Sequence, residues 1–197
     1  YDLLDRVVSV TDANRNTTRF QYDANGNLIA ETDAQGNIRA QTYDAYDRLA
    51  QVTDALGNAT NHTYDWRDNL ISTRDANGNA VTYGYDILDR FLKKTNALGE
   101  QVNFTYDGVG NLLTIADGNG NTTTFAYDAM NRVVTETLPD GSQKSYSYDA
   151  LGNRISQTDP NGNRTSFAYD SLGHLVSKIY ADGSIASFRY DALDRIL

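Results

Sequence analysis

The feature that most constrains this chain is its period. Tyr-Asp pairs stand at residues 1, 22, 43, 64, 85, 106, 127, 148, 169 and 190, always 21 residues apart. No insertion or deletion breaks the spacing, so the 197 residues hold nine whole repeats and the first eight residues of a tenth. A fixed period of this size marks an array in which each unit packs mainly on its neighbours. The expectation is one array over residues 1–197, without globular domains joined by a linker. The chain opens on Tyr1 and stops at Leu197 inside repeats, and it is read as a piece of a longer protein.

Residues 22–42, YDANGNLIAETDAQGNIRAQT, show the grammar of one repeat. Two turn signals, Asp23 to Asn27 and Asp33 to Asn37, separate two short strand signals. Asp suits the first position of a type I turn, and Gly takes the left-handed residue that closes a hairpin. Pro139 and Pro160 fall one residue after the second-turn slot opened by Asp33, where φ near −65° is wanted. In the first turn the Gly26 position is also filled by Asp5, Asp47, Asp68, Asp89, Asn131 and Asp194. Asp and Asn are the residues that best tolerate left-handed geometry after Gly. The slot therefore has a conformational requirement, not a chemical one.

No segment between turns is long enough for an ordinary helix. The strands carry apolar pairs such as Leu28-Ile29 and Leu112-Leu113, and an aromatic, a spacer and Tyr, as in Phe20-Gln21-Tyr22 and Phe125-Ala126-Tyr127. Residues two apart in a strand share a face, so these pairs predict an aromatic ladder on one face. The odd period adds a constraint. Two identical turns would flip the sheet face at every repeat, so one turn, or a bulge, must shift parity. The prolines favour the simple loop at the Asp33-type turn, which leaves the odd residue to the Tyr-Asp turn. On that pairing Ile29, Gln41 and Tyr43 share one face and Leu28 takes the other.

Composition narrows the function classes. Hydrophobic residues make up 40% of the chain, but 14 residues are Tyr, which suits a thin β layer better than a thick aliphatic core. The net charge of −9 argues against a nucleic-acid partner, which needs a Lys/Arg-rich face. No apolar run approaches a membrane span. With no cysteine, neither disulfides nor thiolate metal sites are available.

The unit Tyr-Asp-x-x-Gly-Asn/Arg-Leu, followed ten residues after its own Asp by Asp-x-x-Gly-Asn, resembles the rearrangement-hotspot (RHS) or YD repeat, and the likeness covers the whole chain. The resemblance implies an all-β fold: a repetitive antiparallel β-hairpin strip, about two strands per 21-residue repeat, curved or spiralling as a segment of a hollow shell. It implies a secreted or cell-surface bacterial protein, a toxin or other cargo domain as partner, and a non-catalytic structural role. Family members include polymorphic toxins, the C component of insecticidal toxin complexes and the related teneurins. The shell-closing region with its aspartate-dependent self-cleavage has no match in residues 1–197.

No catalytic, cofactor-binding or metal-binding residue is assigned from the sequence, and no cofactor. The second-turn row of Asp12, Asp33, Asp54, Asp75, Asp117 and Asp159 could hold Ca²⁺, but local capping of each turn is the preferred reading. His62 sits in a ring slot and reads as a substitute ring; His174 sits in a turn and reads as solvated. Neither has partners for a triad. The tyrosines could stack sugars, with packing preferred. Trp66, in a turn slot usually held by Ala, is the best candidate for an exposed contact. Sequons such as those at Asn16, Asn61, Asn103, Asn121 and Asn163 bear on function only in a eukaryotic secretory host. Two alternatives to a shell wall remain: an extracellular carbohydrate- or cell-surface-binding module, and a self-assembling filament in which strand edges add further repeat segments.

Overall fold

A computed structural model describes all 197 residues. The chain is all-β, with eighteen antiparallel strands in a repetitive hairpin strip, two for each 21-residue repeat. No helix is long and apolar enough to cross a membrane. Two compact units divide the strip, Tyr1–Gln101 and Val102–Leu197.

The first unit is a meander of β1 (Ser9–Thr11), β2 (Thr17–Tyr22), β3 (Leu28–Thr32), β4 (Ile38–Tyr43), β5 (Leu49–Thr53), β6 (Ala59–Tyr64), β7 (Leu70–Arg74), β8 (Ala80–Tyr85) and β9 (Phe91–Thr95). The second has the same plan: β10 (Gln101–Tyr106), β11 (Leu112–Asp117), β12 (Thr122–Tyr127), β13 (Val133–Thr137), β14 (Gln143–Tyr148), β15 (Arg154–Thr158), β16 (Arg164–Tyr169), β17 (Leu175–Ile179) and β18 (Ile185–Ser187). Inside each unit every strand pairs with the one before and the one after it in sequence.

Both kinds of turn use one loop. In the Tyr-Asp turn the amide of Asp23 donates to the carbonyl of Asn27 at 3.0 Å, and that of Gly26 to the carbonyl of Asp23 at 3.2 Å. The second turn repeats this between Asp33, Asn37 and Gly36 at 3.0 and 3.1 Å. The closing residue is left-handed in each, with φ of 94° at Gly26 and 87° at Gly36. The Asp and Asn residues named for that slot all adopt positive φ, from 57° at Asp5 to 68° at Asp68. Arg15 does so too, at 68°, in the second-turn slot that Gly36 fills one repeat later; no residue preference announces it.

The parity shift lies beside the Tyr-Asp turn, in the strand rather than in the loop. Gln21 pairs with Ala30 but Tyr22 pairs with Leu28, so Leu28 and Ile29 together oppose Tyr22. The same two-against-one bulge recurs at Thr42/Tyr43, Thr63/Tyr64, Ala126/Tyr127 and Ser147/Tyr148. The opposite hairpins, such as Ala30 with Ala40, keep an unbroken register. One bulge per repeat thus restores the face that an odd period would invert. The expectation that Leu28 faces away from this ladder does not hold, because the register sets Leu28 directly opposite Tyr22 as one of the two bulged residues.

Each unit is a single layer. No hydrophobic residue is buried, and Ser156, whose hydroxyl lies 2.6 Å from that of Ser147, is the one buried residue. The aromatic face is nevertheless the drier one: Phe20 and Tyr22 are half-buried while the spacer Gln21 is exposed. Stability must therefore come from repeated local contacts, and three of these recur at the hairpin tips.

Candidate functional site

The Tyr-Asp tips hold the chain's densest chemistry, and most of it is directed at the chain's own backbone. In each tip one carboxylate organises the loop. Asp23 Oδ1 accepts the amides of Asn25 and Asn27 at 3.0 and 2.8 Å, and its Oδ2 accepts the Asn27 side-chain amide at 3.0 Å. Where Arg replaces that Asn, its Nε donates instead, as from Arg48 to Asp44 at 2.8 Å and from Arg132 to Asp128 at 2.8 Å. The second turns are alike: Asp33 takes the amides of Gln35 and Asn37 and the side chain of Asn37. These bonds favour the ionised form. The Asn37 side-chain amide, followed by its backbone amide, holds the Asp33 carboxyl below the usual carboxylate range, and Asn58 and Asn121 do the same for Asp54 and Asp117. Each aspartate of the row weighed as a Ca²⁺ site caps its own turn in this way.

The tyrosines fasten one repeat to the last. The Tyr22 hydroxyl donates to the carbonyl of Val7 at 2.9 Å, and Tyr43, Tyr64 and Tyr85 reach those of Leu28, Leu49 and Leu70 at 3.0–3.1 Å. In the second unit Tyr127, Tyr148, Tyr169 and Tyr190 donate to Leu112, Val133, Arg154 and Leu175 at 2.8–3.1 Å. The acceptor always lies fifteen residues back, and from Leu28 onward it is the first of the two bulged residues. A phenol is an apolar ring with a polar end, and both ends are used here. Burial, its largest cause, pushes the Tyr127 phenol upward, so it stays protonated and a donor.

A third contact ties neighbouring tips. Arg6, Arg48 and Arg132 lie over the rings of Tyr22, Tyr64 and Tyr148 at 4.6–4.8 Å. They also donate to the carbonyls of Asp23, Asp65 and Asp149 at 2.8–3.2 Å. Where the next tip has Asp or Asn at the left-handed position, that side chain becomes an acceptor. Asp47 receives Asn27, Asp68 receives Arg48, Asp89 receives Asn69 and Asn131 receives Asn111, at 2.7–2.9 Å. The slot therefore has a chemical as well as a conformational role, which inspection of single turns missed. The signal was available in the 20-residue spacing between these donors and acceptors.

His174 belongs to this third set. It lies 3.0 Å from Asp170, 3.3 Å from Asp194 and stacks on Tyr190 at 4.7 Å. The reading of His174 as solvated is corrected: it fills the position Arg occupies in other tips and is held between two of them. His62 is half-buried on β6 with Nδ1 3.2 Å from the Thr73 hydroxyl. The two histidines lie in different units, each in its own local contacts. Trp66 is 83% exposed, with Arg67 stacked on it at 4.5 Å.

The tips thus join single-layer, 21-residue hairpins through strand bulges beside the Tyr residues and phenol-to-carbonyl bonds between repeats. The family model of the teneurin YD-shell matches residues 61–197, and that of the RHS repeat matches residues 1–38, 22–59 and 43–78. The chain belongs to the RHS/YD-repeat shell family. No curated protein matches the sequence. Among solved structures, the fold resembles the crystal structure of TcdB2-TccC3-Cdc42 (TM-score 0.54, 16% identity, 96% of this chain and 14% of that one). It also resembles TcdB2-TccC3 without hypervariable C-terminal region (TM-score 0.54, 20% identity, 92% of this chain and 10% of that one). The chain thus spans a small part of the length of these proteins, and at such identities the likeness is one of fold.

Proposed function

We propose that residues 1–197 form one continuous array serving as non-catalytic shell wall in a longer, secreted or surface-displayed protein, where the wall encloses cargo such as a C-terminal toxin domain. The observation that carries this reading is where the polar groups point. Tyr phenols, turn carboxylates and tip arginines are spent on the array's own backbone and on the next repeat, which suits a wall that must hold together without a core. A two-layer sandwich would have argued for a compact domain instead; each unit has one layer and no buried hydrophobic residue. Membership of a shell-repeat family supports the reading. So does the description of one similar structure as lacking a hypervariable C-terminal region, since a variable segment joined to a regular array is what an enclosing wall would carry.

Limited proteolysis of the full-length parent tests the proposal, alongside negative-stain microscopy of the same sample. The segment beyond the repeats should survive protease in the intact protein and be digested when expressed alone, and particles should be hollow shells with internal density. Equal digestion rates in the two settings would reject enclosure.

A further inference from the structure

Four Asn-Gly pairs stand in the turns, at Asn25, Asn77, Asn119 and Asn161, and each is followed by a further Asn. The reaction open to this dipeptide is intramolecular. The backbone nitrogen of the Gly attacks the side-chain carbonyl carbon of the Asn, since a Gly has no Cβ to obstruct the approach. One C–N bond forms, the C–N bond to the side-chain amide breaks, and ammonia leaves with the proton of the Gly amide. Water then opens the cyclic imide at either carbonyl and yields aspartate or isoaspartate. Water is the only co-reactant. The Asn-Gly-Asn sequence is the same at all four places, so the fold decides how fast each one reacts.

All four Asn residues are exposed, and their turns are closed alike. The Gly amide donates to the carbonyl of the turn's first residue at 3.2 Å beside Asn25, and at 3.1, 3.1 and 3.0 Å beside Asn77, Asn119 and Asn161. The Asn backbone amide goes to the capping carboxylate at 2.9–3.0 Å in each. Attack therefore requires the turn to open, which an exposed hairpin tip in a single layer does at low cost. What separates the four is the side chain. The Asn25 side-chain amide donates at 2.8 Å to the carboxylate of Asp47, the left-handed residue of the next Tyr-Asp tip. For Asn77, Asn119 and Asn161 the corresponding left-handed residue of the next second turn is Gly99, Gly141 or Gly183, which has no side chain to accept. Arg74 and the Thr122 hydroxyl donate to the carbonyls of Gly78 and Gly120, both at 3.2 Å, beyond the reacting nitrogen. We propose that Asn77, Asn119 and Asn161 are sites of spontaneous deamidation, and that the bond to Asp47 spares Asn25. Isoaspartate adds a methylene to the main chain of a loop closed by two backbone bonds, and either product puts a second carboxylate beside the capping one. The reaction is confined to turn tips, so it stands or falls independently of whether the array encloses cargo.

Peptide mapping by mass spectrometry after incubation in mildly alkaline buffer tests this, with enzymatic methylation to count isoaspartate. Each site's rate in the folded chain is divided by its rate in urea, which removes the influence of the preceding residue. The expected result is product at Asn77, Asn119 and Asn161, with the ratio at Asn25 roughly three- to tenfold lower, the factor that one hydrogen bond open to water corresponds to. Asp47→Gly keeps the left-handed preference that Gly meets in other tips and removes the acceptor, so it should raise Asn25 to the level of the other three. Asp47→Asn keeps an acceptor, as Asn131 does for Asn111 at 2.9 Å, and should leave Asn25 slow. The proposal is overturned by no product at Asn77, Asn119 and Asn161 in the folded chain. It is overturned equally by an Asn25 ratio that matches theirs, by one that Asp47→Gly leaves unmoved, or by one that Asp47→Asn raises as much as Asp47→Gly does.

Discussion

Replacing Tyr127 by Phe deletes one phenol-to-carbonyl bond and nothing else. The hydroxyl donates to the Leu112 carbonyl at 2.8 Å, from β12 to the first residue of β11. A typical intramolecular hydrogen bond contributes about 0.5–1.5 kcal/mol net, and a carbonyl left unsatisfied and buried costs about 1–3. The sheet here is one layer, so water can reach Leu112 once the phenol is gone, and a loss of about 1 kcal/mol is expected. If residues 1–197 unfold together, that lowers Tm by about 2–4 °C. In a quasi-linear array the effect should also be local. Hydrogen exchange at the amides of Leu112 to Thr114 should quicken about fivefold, the factor that 1 kcal/mol corresponds to, while β2 to β4 should not change. Tyr148→Phe should behave alike at Val133, and the two losses should add to within about 0.5 kcal/mol if the rungs are independent. Tyr46→Phe, on an exposed ring, should be neutral. If both rung variants matched Tyr46→Phe in stability and exchange, the phenol bonds would not be what ties repeat to repeat.

Other consequences can be measured on the same chain. Arg15 carries a φ of 68°, so Arg15→Gly should raise stability by about 1 kcal/mol in urea unfolding, because a left-handed residue with a Cβ costs about that much. Gly57, at φ 85° with nothing within 4 Å of an added Cβ, gives the converse: Gly57→Val should cost about 2 kcal/mol through backbone strain alone. The turn aspartates have carboxyls held below their unfolded value of about 3.9, through Asn37 at Asp33, Asn58 at Asp54 and Arg132 at Asp128. A depressed folded value contributes stability above the unfolded pKa and loses it as pH falls through the folded one. Thermal melts should therefore be flat from about pH 7 to 5 and fall steeply below about pH 4. A melt that stayed flat down to about pH 2 would contradict the capping geometry.

How much was legible in the sequence can be followed through one repeat. The turn at Asp23–Asn27, its left-handed Gly26 and the Phe20–Tyr22 face all follow from local rules, since turn geometry and strand alternation are set within a few residues of chain. The odd period required one parity shift per repeat. The prolines assigned it to the Tyr-Asp turn itself, but both turns use the same loop and the shift is a bulge in the strands beside that turn. That the shift is a bulge opposite Tyr22, with Leu28 drawn onto the Tyr22 side, depends on which residues stand opposite one another. His174 was misread as solvated because its two partners come from two different tips. Arg15 gave no warning, because neighbouring contacts fixed a conformation that its own preference opposes.

By itself, then, the sequence determined the hairpin unit and its repetition, because both arise from interactions a few residues apart, copied every 21. Only the tertiary structure decided how one copy grips the next. The Tyr22 phenol reaches fifteen residues back to Val7, Arg48 reaches seventeen forward to Asp65, and Asp47 accepts from Asn27 twenty before it. Those partners become neighbours only when successive hairpins lie side by side in the sheet. Pairing also sets Trp66 beside Tyr46, twenty residues away, so that two successive turns line one cleft.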